Sequence, residues 1–102
     1  MSESEPIVTV ARWVANEESL DAVLGQAAEL RRHSLAEPGC LGYEVFQHVG
    51  QRIELLILEH YRDTAALEAH RNSKHYGAIA RDRILPQLKS RSVEILTSGT
   101  KG

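Results

Sequence analysis

Three histidines and two tyrosines fall within eighteen residues, EHYRDTAALEAHRNSKHY (Glu59 to Tyr76). Imidazole is the side chain best suited to taking a proton near pH 7. His70 and His75 are five apart, about 140° around the axis of a continuous helix. Such a pair does not chelate as an i, i+4 pair does, and His60 shows no carboxylate partner in an evident pattern, so no metal is expected. Glu59 shares a strand face with Ile57 and Tyr61 by the two-residue period. A carboxylate on an apolar face needs a partner; a backbone N–H or His70 would serve, with Glu59 anchoring the following helix.

The single cysteine, Cys40, sits in EPGCLGYEVF (37–46). A reactive thiol needs a neighbour that stabilises the thiolate, and the nearest charge in sequence, Glu37, has the wrong sign. Pro38 cannot continue a helix, and Gly39 can take a left-handed cap. Gly42 lets another group approach the strand. The stretch reads as a hinge that launches a strand, with a small, half-buried thiol beneath the turn.

The elements that must position these groups follow from periodicity. IVTVARWVA (7–15) is rich in β-branched residues and reads as a strand. Asn16 stands at the N-cap of a helix with Glu17 and Glu18 in its first turn. Leu20, Val23, Leu24, Ala27 and Ala28 form its apolar stripe. Leu41, Tyr43 and Val45 alternate along a second strand, VGQR (49–52) turns the chain, and IELLILEHY (53–61) returns as a third. Asp63 caps a second helix. Asn72-Ser73 breaks it, Tyr76, Ile79, Ala80 and Ile84 resume helical spacing, and SVEILT (92–97) is the last strand. The order β-α-β-β-α-β is ferredoxin-like, an α+β fold with an antiparallel four-stranded sheet. Leu55 to Leu58 are all apolar, so the third strand shows grease on both faces. Two helices cover one face, and the other calls for a second copy packed sheet to sheet as a dimeric barrel.

The chain of 102 residues fits one domain, expected over 7–97 with flexible tails at 1–6 and 98–102. It is 42% hydrophobic and 25% charged, with net charge −2 and pI near 6.2. Nothing suggests a nucleic-acid partner. One cysteine makes no internal disulfide. MSESEP has no apolar core of a signal peptide, and no apolar run approaches the ~20 residues of a membrane span. The expected setting is cytoplasmic.

EPGCLGYEVF after an amphipathic helix, followed by the Glu59–Tyr76 motif, resembles the antibiotic biosynthesis monooxygenase family over about residues 7–97. The resemblance implies a homodimer of ferredoxin-like chains that oxidises a quinol or polycyclic phenol with molecular oxygen as co-substrate, and no metal or flavin. It implies His70 and His75 as catalytic base and substrate hydrogen-bonding groups. Glu59, Tyr61, Tyr43, Trp13 and Tyr76 become the candidate substrate-binding residues, Tyr61 standing where most relatives carry Trp. Other members isomerise small metabolites, and a non-catalytic dimer that binds a hydrophobic metabolite is the further alternative. The haem-degrading branch uses an Asn on strand one, a Trp ending strand three and a later axial His. This chain has no Asn in strand one, Tyr61 in place of the Trp, and Ile79-Ala80 where the His would stand.

Overall fold

The computed structural model describes residues 5–97. Apart from Glu5 and Pro6, the tails expected at 1–6 and 98–102 lie outside the described residues. Strands β1 (Ile7–Ala15), β2 (Cys40–Gln47), β3 (Glu54–Tyr61) and β4 (Leu88–Thr97) form one antiparallel sheet in the order β2-β3-β1-β4. With helices α1 (Leu20–Leu35) and α2 (Thr64–Arg71) in their places, this is the ferredoxin-like α+β arrangement read from the sequence. No helix among the described residues is long and apolar enough to cross a membrane.

Register decides which side chains meet. Tyr43, Glu59, Thr9 and Ile95 form one cross-sheet row, Val45, Ile57, Ala11 and Val93 the next, and Leu55, Trp13 and Arg91 a third. All point to the face on which the helices lie. Trp13, Tyr43, Leu55 and Ile57 are fully enclosed there with Ile79 and Ile84, each stabilising the fold by about 1.5–3 kcal/mol. The site walls are thus also the core.

Several local expectations change. α1 starts at Leu20, not after Asn16, because Ser19 closes a turn ahead of it. The Ser19 hydroxyl accepts from the Asn16 N–H at 3.1 Å and donates to the Gln87 carbonyl at 3.1 Å. Glu17 therefore lies outside the helix and pairs with Arg52. Leu20, Val23 and Ala27 are buried as expected, but Ala28 is exposed and the stripe continues through Leu30 and Ser34.

Gly39 does not take a left-handed cap; α1 ends through Ala36 in ordinary helical geometry. The glycine is needed for contact instead, since a Cβ there would stand 2.4 Å from the Ala66 Cβ of α2. Register between β2 and β3 slips after Cys40, so Leu41 is the extra residue of a bulge and is 62% exposed, not aligned with Tyr43.

Asp63 caps α2 as expected, accepting from the Ala66 N–H at 2.9 Å. The break also falls at the expected place. The Ser73 hydroxyl donates to the His70 carbonyl at 2.7 Å and accepts from the Tyr76 N–H at 3.1 Å. The next segment, Tyr76–Ile84, is a π-helix, a form rare enough that sequence spacing alone does not suggest it. A 3₁₀ turn, Leu85–Gln87, leads into β4.

The opposite face of the sheet has no cover within the described residues. Val8, Val10, Leu56 and Leu58 are half-buried there, while Phe46 is 50% and Leu96 47% exposed. Arg12 and Glu54 pair across the same face at 2.6 Å.

Candidate functional site

Burial explains the site's first unusual feature. Glu59 lies on the helix-facing side of a central strand and is 9% exposed. It accepts a hydrogen bond from the Tyr61 hydroxyl two residues on, and the hydroxyl of its cross-strand neighbour Thr9 also serves it. The expected bond to His70 or to a backbone N–H is not what holds it: His70 Nε2 stands 3.7 Å from Oε1, beyond hydrogen-bond reach. Loss of water raises the Glu59 carboxyl above the ordinary carboxylate range, against the opposing pull of Tyr61, His70 and Arg71. Burial likewise raises the Tyr43 and Tyr61 phenols, so both stay protonated well above neutral pH.

His70, 2% exposed, occupies the end of α2. Its ring is surrounded by Tyr61 (centroids 5.3 Å apart), Tyr76 (5.2 Å, edge to face) and Tyr43 (6.2 Å). Nδ1 lies 2.9 Å from Glu37 Oε2. The same carboxylate oxygen binds His75 Nε2. A carboxylate only accepts, so each imidazole donates the nitrogen that faces Glu37. In the neutral ring this geometry puts the proton on Nδ1 and turns the Nε2 lone pair to the interior.

Glu37 is the candidate site residue that sequence reasoning misses. It stands as the first letter of EPGC, where its context speaks only to its charge beside Cys40. The break at Asn72–Ser73 is what allows the meeting. It removes His75 from the α2 helix, so the 140° separation of a continuous helix does not apply, and both rings reach one oxygen. Glu37, His70 and His75 consequently offer ligand atoms all within 4.8 Å of one another. A cation could be held there, although each of these atoms already has a hydrogen-bond partner in the other members of the group.

A cleft of about 480 Å³, measured out to its open mouth, lies between the sheet and the helical layer. Its room for the centres of water molecules is about 40 Å³, enough for on the order of three waters. A space of that size does not hold a ring system unless side chains at the mouth move. Trp13, Tyr43, Glu59, His70 and Tyr76 line the cleft. Tyr61 does not; it stands behind Glu59, packed with Ile7, Ala66 and Leu67. His75 lies on the outer side of Glu37, 20% exposed at its side chain, with its ring stacked on His33. Lining residues that the sequence does not single out include Thr9, Arg71, Arg91 and Val93.

Cys40 is half-buried, and its thiol donates weakly to the Gly42 carbonyl at 3.5 Å. Burial raises its pKa, with Glu37 and Glu59 adding to the effect. It packs against both core clusters. These are the properties of a filler beneath a hinge.

Comparison with known proteins gives consistent results. The sequence model of the family described as "Antibiotic biosynthesis monooxygenase" matches residues 6–82. The chain is 32% identical over 80 residues to "Putative monooxygenase YcnE" of Bacillus subtilis, covering 78% of this chain and 84% of that one. The solved structure of Rv0793 from Mycobacterium tuberculosis superposes with a TM-score of 0.83 at 27% identity, covering 89% and 92% of the two chains. That of PA3566 from Pseudomonas aeruginosa gives 0.84 at 28% identity, covering 95% and 97%.

Proposed function

The chain belongs to the antibiotic biosynthesis monooxygenase family, and from that premise we propose that it oxidises a quinol or polycyclic phenol with molecular oxygen, using no metal or flavin. The observation that carries this reading is the orientation of His70, held at Nδ1 by Glu37 with Nε2 turned to an aromatic cleft.

Each residue then has a task. His70 Nε2 takes the phenolic proton. Tyr43, kept protonated by burial, donates a hydrogen bond to the oxyanion. Glu59 is held beside the site by the Tyr61 and Thr9 hydroxyls, with its carboxyl raised above the ordinary range by burial. Trp13 and Tyr76 offer flat surfaces to the rings. The anion passes one electron to oxygen, and the radical pair recombines at carbon. For a 1,4-naphthohydroquinone, C₁₀H₈O₂ and O₂ give the hydroxyquinone C₁₀H₆O₃ and H₂O. The organic substrate supplies all the electrons, so no external reductant enters. His75 supports Glu37 from outside the cleft.

The proposal includes a homodimer. The apolar face of Val8, Val10, Leu56, Leu58 and Phe46 supports sheet-to-sheet packing. Sedimentation at micromolar concentration is expected to give twice the 11.4 kDa chain mass; a monomer overturns this part.

Oxygen uptake with 1,4-naphthohydroquinone tests the chemistry. The wild type is expected to accelerate it above the uncatalysed rate in the presence of EDTA, and His70→Ala to lose about 10²–10⁴-fold with an unchanged circular dichroism spectrum. Full turnover in folded His70→Ala refutes the assignment, and loss of wild-type turnover in EDTA refutes its metal independence.

A further inference from the structure

The mouth of the cleft carries charge that the reaction above does not use. Arg71, at the end of α2, and Arg91, on β4, both line it and are exposed. Among the described residues, six arginines stand within 4.0 Å of a carboxylate: Arg12, Arg31, Arg52, Arg62, Arg81 and Arg83. Arg32, Arg71 and Arg91 have no such partner among them, Arg71 acting on Glu59 only at longer range. The chain as a whole is acidic, at −2. Two of these three guanidinium groups nevertheless gather on one cleft of an acidic chain.

Among the residues lining the cleft the one carboxylate, Glu59, is raised toward its neutral form by burial. Arg71 opposes that shift, so Glu59 offsets at most one of the two cations. A slot with apolar walls and cations of one sign at its edge concentrates field on an entering anion. Guanidinium also matches a carboxylate with two parallel hydrogen bonds.

We infer that the substrate is an aromatic hydroxy acid, with its phenolic end directed to His70 and its carboxylate held at the mouth by Arg71 and Arg91. This rests on the cleft being the binding site, as proposed above, and adds the substrate's charge and the two residues that select it. The carboxylate remains outside the chemistry. It fixes which ring edge faces His70 Nε2, so the arginines determine specificity and are not catalytic.

The test uses two stable probes with one ring system, 5-hydroxy-1-naphthoate, whose hydroxyl and carboxylate lie on opposite rings, and 1-naphthol, titrated into the full chain by calorimetry. Quenching of Trp13, the only tryptophan and a lining residue, reports that binding occurs in the cleft. The carboxylated probe is expected to bind about tenfold or more tightly than 1-naphthol, as one charge-assisted bond warrants. Its advantage should shrink with added salt. Arg91→Gln and Arg71→Gln should each remove most of the preference. Arg32→Gln, an exposed arginine outside the cleft, should retain it.

Equal affinities for the two probes, with Trp13 quenched by both, overturn the inference and leave the cleft reading intact. A preference that survives both arginine variants overturns it as well. If neither probe binds, the inference fails together with the binding-site reading on which it rests.

Discussion

Removing the Glu37 carboxylate is the most informative perturbation of this site. One oxygen holds two imidazoles, 2.9 Å from His70 Nδ1 and in contact with His75 Nε2. Its side chain is 14% exposed, so water can replace part of what is removed. A hydrogen bond to a charged group contributes about 1.5–3 kcal/mol. Were the whole His70 bond lost from the transition state, the rate would fall about 10- to 150-fold, at 1.36 kcal/mol per decade. Partial replacement by water puts the expected loss for Glu37→Ala near the lower end, about 10- to 30-fold. The loss should appear in kcat with KM little changed, because Glu37 does not line the cleft. His70 and Glu37 act as one unit in this account, and such units are non-additive. Adding Glu37→Ala to His70→Ala should therefore cost no further activity. Steady-state oxygen uptake on the two single variants and the double variant completes the cycle. Additive losses would mean that Glu37 acts other than through His70, and an unaltered kcat in folded Glu37→Ala would remove its positioning role.

Burial and contact set three further expectations. Glu59 has a folded pKa raised by desolvation, so its contribution to stability is fully present below the ordinary carboxylate pKa and is lost as pH rises through the raised folded value. The melting temperature of Glu59→Gln relative to wild type should accordingly improve as pH rises across that window; a constant difference between the two would contradict it. Gly39→Ala places a methyl group against the Ala66 Cβ at 2.4 Å and should cost about 1–3 kcal/mol, read by chemical denaturation, whereas a neutral effect would show that the hinge can shift. Cys40→Ser should keep full turnover, since the thiol's raised pKa leaves it un-ionised at neutral pH; loss of oxygen uptake in a folded variant would restore the thiol as a candidate group.

The fold is legible where one-dimensional signals suffice. Alternation marks the strands, the apolar stripe marks α1, and Asp63 with Asn72–Ser73 marks both ends of α2. The candidate site is legible only in part. Trp13, Tyr43, Glu59, His70 and Tyr76 stand out by type and face, and the structure gathers these five around one cleft. Glu37 escapes because its role needs two folding events at once: the hinge at 37–39 and the break after α2. Neither is visible at Glu37 itself. Leu41 is misplaced by alternation because a bulge resets the period at Gly42, a residue that strict alternation passes over. The start of α1 moves because Ser19 is tied to Gln87, 68 positions away.

The same physics explains why the cleft opens where it does. α1 and the π-helical segment pack over β2, β3 and β1, where Tyr43, Ile57 and Ala11 are sealed. The helix-facing residues of β4 receive less cover: Val93 is 42% and Ile95 49% exposed. An edge strand of ten residues that leaves Val93 and Ile95 uncovered among the described residues is a liability unless something uses it. Val93 and Arg91 form one wall of the mouth, so an aromatic acid entering there would cover the valine with its ring and meet the arginine with its carboxylate. The exposed edge of the sheet and the unpaired charge are then one feature, and ligand binding should protect the backbone amides near Val93 from hydrogen exchange more than those of the already sealed β3.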